Sequence, residues 1–178
     1  MYTLSNDDVY TRLNFKPRGI FIAGYALLDQ KVDRTMTQVD FYILNKTQEK
    51  ETEQFACLLA EKAFKKGHKI HIHTSDNHQT ERMDRLLWTY NDQSFLPHVT
   101  MDHELQAETP INISHDQDKA FFSDVLINLR TEVPAFYKQF DRVAELVSAN
   151  TQQRESARNR YRAYQQQGCT VTSHEINR

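Results

Sequence analysis

A chain of 178 residues can bury one proper core and is too short to expect two without a linker, and no Pro-, Gly- or Ser-rich linker interrupts it. Its formal net charge of -2 excludes a molecule drawn to nucleic acid over its whole surface, so anion recognition has to come from a local patch. At 39% hydrophobic and 26% charged residues this is the composition of an ordinary soluble globular domain, but with four Gly and four Pro it has few glycine-built turns or phosphate-cradling loops to offer.

The first 35 residues read differently from the rest. Ile20 to Leu28 is an apolar run behind Arg12, Lys16 and Arg18, yet it is too short to span a bilayer, and Asp7 and Asp8 do not suit the basic leading segment of a signal peptide. We expect residues 1–35 to be an N-terminal extension, mobile or the product of a misassigned start upstream of Met36, and residues 36–178 to form a single α/β domain. Cys57 and Cys169 make no motif, and two such cysteines without a secretory signature point to a reducing, cytoplasmic setting with no membrane involved.

From Val39 to Leu44 the run VDFYIL is suited to a buried, central strand. Glu51 to Lys66 then places Phe55, Leu58, Leu59, Lys62 and Ala63 at helical spacing, and Gly67 follows where a left-handed residue ends a helix. Lys69 to Thr74 alternates, with Ile70 and Ile72 on one face and His71 and His73 on the other, the histidines at positions expected to be half exposed. Strand, helix, strand reads as a βαβ unit. Ser75 to Asn77 offers capping side chains for a second helix carrying Met83, Leu86, Leu87 and Tyr90, with Trp88 turned to another side. Phe95 to Val99 reads as a short edge strand interrupted by Pro97, and Met101 to Pro110 as a loop. Ile111 and Ile113 alternate with polar residues, Phe121 to Leu129 holds the stronger strand signal VLINL, and Pro134 begins a short helix through Phe136, Tyr137 and Phe140. Arg142 to Val147 fits either a helix or a strand, and we assign it as a strand.

A helix from Thr151 to Gln167 comes next, with Asn150 and Gln153 in capping-box positions and Gly168 closing the end. At 100° per residue Arg154, Arg158, Tyr161, Arg162 and Gln165 share one narrow arc, and Ala157 and Tyr164 lie on the arc beside Tyr161. A basic face thus adjoins an apolar one; on pattern alone such a face is more often solvated than bound to anything. Cys169 to Thr172 adds a last edge strand. The alternation predicts a three-layer α/β/α sandwich on a mostly parallel sheet.

Such a sheet invites a nucleotide, but Gly19, Gly24, Gly67 and Gly168 form neither GxGxxG nor a phosphate loop, so the fold is Rossmann-like without a nucleotide-binding motif. There is no GxSxG elbow either. His71 and His73, with His68 and His78 nearby in sequence, could share a metal, but no carboxylate or cysteine stands at a matching spacing, and Asp116 and Asp118 read as a solvated loop rather than an acid and base pair. We therefore expect no catalytic residue, no metal and no cofactor.

Five separated pieces, FYIL from Phe41, GHKIHI from Gly67, RLLWTYNDQSFLPH from Arg85, VLINLRTEVPAF from Val125 and RESARNRYRAY from Arg154, together resemble the chi subunit of bacterial DNA polymerase III over about Met36 to Glu175. The resemblance implies an accessory protein without catalysis. It would pair with the psi subunit, be tied through psi to the clamp-loader complex, and hold the acidic C-terminal tail of single-stranded-DNA-binding protein, touching DNA only indirectly. That tail ends in a phenylalanine with a free carboxylate. The family's tail site falls here on Arg158, Tyr161 and Arg162, with Arg154 one turn earlier and Trp88 and Val147 as apolar walls. The psi interface falls on Phe95, Leu96, Pro97 and His98, whose other reading is that Phe95 and Leu96 fill the chain's own core. The competing function is direct binding of single-stranded nucleic acid by the basic helix, with tyrosines stacked on bases.

Overall fold

A computed structural model describes residues 36–100, 105, 108–116 and 124–177. The expected extension of residues 1–35, most of the expected loop from Met101 to Pro110, and Asp118 lie outside them. In chain order the elements are β1 (Gln38–Leu44), α1 (Glu49–Lys65), β2 (Ile70–His73), α2 (Asn77–Thr89), β3 (His98–Thr100), β4 (Ile111–Ser114), β5 (Val125–Asn128), a 3-10 turn (Tyr137–Gln139), β6 (Arg142–Val147), α3 (Thr151–Gln166) and β7 (Thr170–Ile176). The ambiguous run from Arg142 is a strand, and β3 begins only after Pro97, which lacks the N–H a ladder needs.

Among the described residues there are seven strands, all parallel, in the order β3-β4-β2-β5-β6-β1-β7. Helices α1 and α2 cover one face and α3 with the 3-10 turn covers the other, which is the expected three-layer arrangement. Burial from both sides explains why β2, β4, β5 and β6 have no exposed position. On β1 the two faces separate cleanly: Phe41 meets Tyr164 of α3, while Tyr42 meets Phe55 of α1 with ring centroids 5.6 Å apart. Helix ends follow the glycines. Gly67 (φ 79°) and Gly168 (φ 81°) take the left-handed conformation, and the next residue's N–H, of His68 or Cys169, reaches back to Ala63 or Tyr164 at 3.1 Å in both cases. No helix among the described residues is long and apolar enough to cross a membrane.

Two sequence expectations are corrected. β1 is not central: it lies between β6 and β7 at one end of the sheet, because β5 and β6, later in the chain, insert between it and β2. Nor are the histidines of β2 half exposed. His71 and His73 are 0% and 1% exposed, their rings 6.0 Å apart and edge-on to Phe136 at 5.7 and 5.0 Å, since a strand in the middle of a doubly covered sheet has no solvent face. His73 Nδ1 lies 3.2 Å from the Ser114 carbonyl, whereas among the described residues neither ring nitrogen of His71 has a hydrogen-bond partner. Among the described residues no three His, Cys, Asp or Glu side chains gather as a metal-binding set.

Burial pushes both imidazoles down from 6.5, His71 to about 3 and His73 to about 4, with the charge of His73 adding to the shift at His71 and that of Arg130 to the shift at His73. The unfolded chain takes up these protons near pH 6.5, while the fold resists them until about 4 and 3, so stability present above 6.5 is lost as the pH falls through that window. With both rings contributing, the slope is at most roughly 3 kcal/mol per pH unit. Urea unfolding at pH 7, 6 and 5 should show this fall, and His71→Leu, which keeps the packing on Phe136 and Phe140, should make the dependence shallower. Parallel lines for the two proteins would refute the assignment.

Candidate functional site

The site is built on α3, whose orientation is set from beneath. Asn150 caps the helix by accepting from the Gln152 and Gln153 N–H groups at 2.9 and 3.4 Å. Facing the sheet are Ala157, Arg160 and Tyr164, all buried. Arg160 Nε donates to Glu145 Oε2 at 2.9 Å, its Nη1 to the Thr131 carbonyl at 2.9 Å, and Tyr164 OH donates to Glu145 Oε1 at 2.7 Å. Asn128 of β5 donates to that same Oε1 at 3.0 Å, so Glu145, fully buried on β6, has both oxygens engaged. Burial and the neighbouring carboxylate push the Tyr164 phenol far above its ordinary range, so it remains a donor.

With that face pinned, the residues on either side of Arg160 turn outward. Arg154, Arg158 and Arg162 are exposed, and among the described residues none of them is paired with a carboxylate. Tyr161 is half buried and leans on Phe41, ring centroids 5.4 Å apart. The four border an open cavity of about 470 Å³. Its floor is apolar, from Phe41 and Ile43 of β1, Val147 of β6 and Ala157 of α3; its far wall is β7, through Ser173 and Glu175, with Asn177 just beyond the strand. Such a space has cations on one side and a greasy floor. It suits a ligand carrying an aromatic or aliphatic group together with negative charge.

Arg154, Arg158, Tyr161, Arg162 and Val147 thus share one cavity. Trp88 does not join them. It stands on α2 against Phe95 and His98, with ring centroids 5.6 and 4.6 Å away, at the β3 edge of the sheet. Five strand spacings separate β3 from β1, on the order of 24 Å. Helical spacing could place Trp88 off the core stripe of α2, but it carried no information about which end of the sheet α2 would cover.

Around Trp88 lies a second surface. Trp88 is 52% and Phe95 68% exposed, an uncommon pairing of two large aromatic side chains in solvent. Pro97 is half buried, while Leu96 (1% exposed) and His98 (6%) are held inside the fold. His98 Nδ1 sits 2.6 Å from the Leu96 carbonyl and Nε2 3.1 Å from that of Asp84. Of the residues assigned to the psi interface, Phe95 and in part Pro97 are therefore accessible, and Leu96 and His98 are buried.

Sequence reasoning missed Phe41, Ile43, Ser173, Glu175 and the tie between Arg160 and Glu145. The first pair had a signal, since alternation along β1 puts Phe41 and Ile43 on one face. Arg160 had one too: it falls on the same arc as Ala157 and Tyr164, where a charged residue needs a buried partner. The β7 wall had none, because the expected strand stopped at Thr172 and the observed one runs to Ile176.

Comparison with known proteins gives concordant matches. The sequence model described as DNA polymerase III chi subunit, HolC, matches residues 36–172. DNA polymerase III subunit chi of Pseudomonas aeruginosa is 36% identical over 143 residues, 80% of this chain and 99% of the relative. Those of Haemophilus influenzae and Escherichia coli are each 30% identical, over 76% and 68% of this chain and 95% and 83% of their own lengths. Among solved structures, T4 UvsW superposes with a TM-score of 0.56 at 11% identity, over 79% of this chain and 42% of that chain, a likeness of fold alone. With the match running from β1 into the start of β7 and taking in the whole of α3, this chain belongs to the DNA polymerase III chi subunit family.

Proposed function

We propose that the protein is a non-catalytic accessory subunit of the DNA polymerase III holoenzyme in the cytoplasm, bridging the clamp-loader complex, through psi, to the acidic C-terminal tail of single-stranded-DNA-binding protein during replication. The observation that carries this reading is the cavity with three guanidiniums, unpaired among the described residues, along one side and Phe41, Ile43, Val147 and Tyr161 below and beside them. In it Arg158 grips the terminal carboxylate, because a guanidinium presents two parallel donors to a carboxylate. Arg154 and Arg162 hold the acidic residues upstream. The terminal phenyl ring lies against Tyr161 and the apolar floor, where aromatic contact adds about 0.5–1.5 kcal/mol beyond area burial. No metal or cofactor has a part in this, and DNA is reached only through the partner.

For psi, the support is the exposed pair Trp88 and Phe95 beside the short edge strand β3. Aromatic residues in solvent are the usual anchors of protein interfaces. Trp88, first assigned to the tail, belongs in this reading to the psi surface.

Fluorescence anisotropy tests the tail site with an acidic peptide ending in Phe, the same peptide without that Phe, and a single-stranded oligonucleotide. Only the first should bind, and Arg158→Ala should weaken it by roughly 1.5–3 kcal/mol, the scale of a hydrogen bond to a charged group. Equal affinity for both peptides would remove the clamp, and preference for the oligonucleotide would favour direct binding of single-stranded DNA. The psi surface makes a separate prediction: Trp88→Ala and Phe95→Ala should each abolish co-purification with psi while leaving peptide affinity within about twofold, since non-contacting sites this far apart act independently. Weakened peptide binding by Trp88→Ala would overturn the division into two surfaces.

A further inference from the structure

The tail cavity has one wall that its own packing does little to hold. Among the described residues β7 is an edge strand, paired with β1 on one side only, and most of its side chains are exposed. Its first half is anchored, since Val171 and the preceding Cys169 pack against the core cluster beneath α3. The second half is the part that lines the cavity, through Ser173 and Glu175, and neither residue belongs to that cluster. An edge strand with so little buried surface opens locally at small cost.

Between those two cavity residues, on the opposite face, stands His174. Its Nε2 donates to Asp40 Oδ1 at 2.8 Å, and its ring stacks on Tyr42, centroids 5.1 Å apart with 23° between the planes. Asp40 is 1% exposed, and Arg142 Nε of β6 donates to its other oxygen at 2.6 Å. That carboxylate is held fast in the middle of the β6-β1-β7 half of the sheet, so a side chain bonded to it inherits its rigidity. Because side chains alternate across a strand, His174 cannot touch anything in the cavity. Whatever it does for binding, it does by fixing the backbone that carries Ser173 and Glu175.

We infer that His174 is a positioning residue for the tail cavity, clasping the second half of β7 to Asp40 so that Ser173 and Glu175 form a standing wall before the ligand arrives. The inference rests on the tail-binding reading given above and adds a residue that the basic helix and its resemblance do not point to. A wall already in place spares the ligand the entropy of ordering it. Loss of the clasp lets the strand end open and lowers affinity by the fraction of molecules in which the cavity is formed.

The test uses the full chain, with the acidic peptide ending in Phe as probe. His174→Ala should weaken the peptide about five- to tenfold, through faster dissociation, and should speed amide exchange at residues 173–177 in the free protein while the thermal midpoint stays within a few degrees. His174→Gln keeps an N–H donor near the position of Nε2 and should restore both affinity and slow exchange. Unchanged affinity and exchange in His174→Ala would overturn the inference, and so would a loss that His174→Gln leaves unrepaired, which would assign the effect to the ring stacked on Tyr42. If the wild-type protein ignores the peptide, the ligand reading fails instead, and exchange at residues 173–177 still decides whether His174 holds the strand.

Discussion

The candidate site depends on Glu145. A carboxylate with no exposed surface is costly to bury unless its lone pairs are filled, and here Arg160, Tyr164 and Asn128 fill them from α3 on one side and β5 on the other. Removing one partner of such a pair typically costs about 3–5 kcal/mol, because the other charge is left buried and alone. The same geometry is directional. Arg160 can reach Glu145 at only one rotation of α3, and that rotation aims Arg154, Arg158 and Arg162 over the cavity and lays Tyr161 against Phe41. An apolar pair at these positions could hold the helix down as firmly, but it would fix the rotation less sharply.

The pairing also separates four chemically identical side chains on one helix into two jobs. Arg160 is committed to Glu145, the Thr131 carbonyl and Ser156, and its remaining nitrogen, Nη2, is buried out of a ligand's reach. Arg154, Arg158 and Arg162 keep their donors in solvent, where a strong partner can be gained without breaking an existing one. A comparable device ties the neighbouring strands, with Asp40 on β1 accepting from Arg142 on β6 and His174 on β7. Asp40 and Glu145 both lie in the half of the sheet that supports the cavity. The core strands β2, β4 and β5 toward the other edge are held mainly by apolar packing around Ile70, Ile72, Ile111, Ile113 and Ile127.

Local features were legible in the sequence. The elements follow from periodicity, the ends of α1 and α3 from Gly67 and Gly168, and the composition of the basic face from 100° spacing. Three misreadings share one cause, which is that chain order does not disclose sheet order. β1 looked central because VDFYIL is apolar, but any strand of a doubly covered sheet is apolar, including one next to the edge. His71 and His73 looked half exposed because they alternate with Ile70 and Ile72, yet a middle strand buries both faces and the alternation then marks two different cores. Trp88 was grouped with Val147 although α2 and α3 cover opposite faces toward opposite edges. The family resemblance supplied residues without supplying this geography.

That geography bears directly on the proposed bridging role. A protein that joins two partners has to present two surfaces that can be filled together, and surfaces that share side chains would instead compete. Grouping Trp88 with the arginines would have merged the tail site with the neighbourhood of Phe95 and made the partners rivals. With Trp88 on α2 at the β3 edge and Tyr161 over β1, the two surfaces share no residue, and a rigid parallel sheet stands between them. The proposed bridge needs no energetic coupling between the two surfaces: occupancy of one should leave the affinity of the other unchanged. Simple tethering then suffices. In the proposed bridge, a partner held at one edge would raise the local concentration of the tail at the other, and that proximity alone would strengthen its binding.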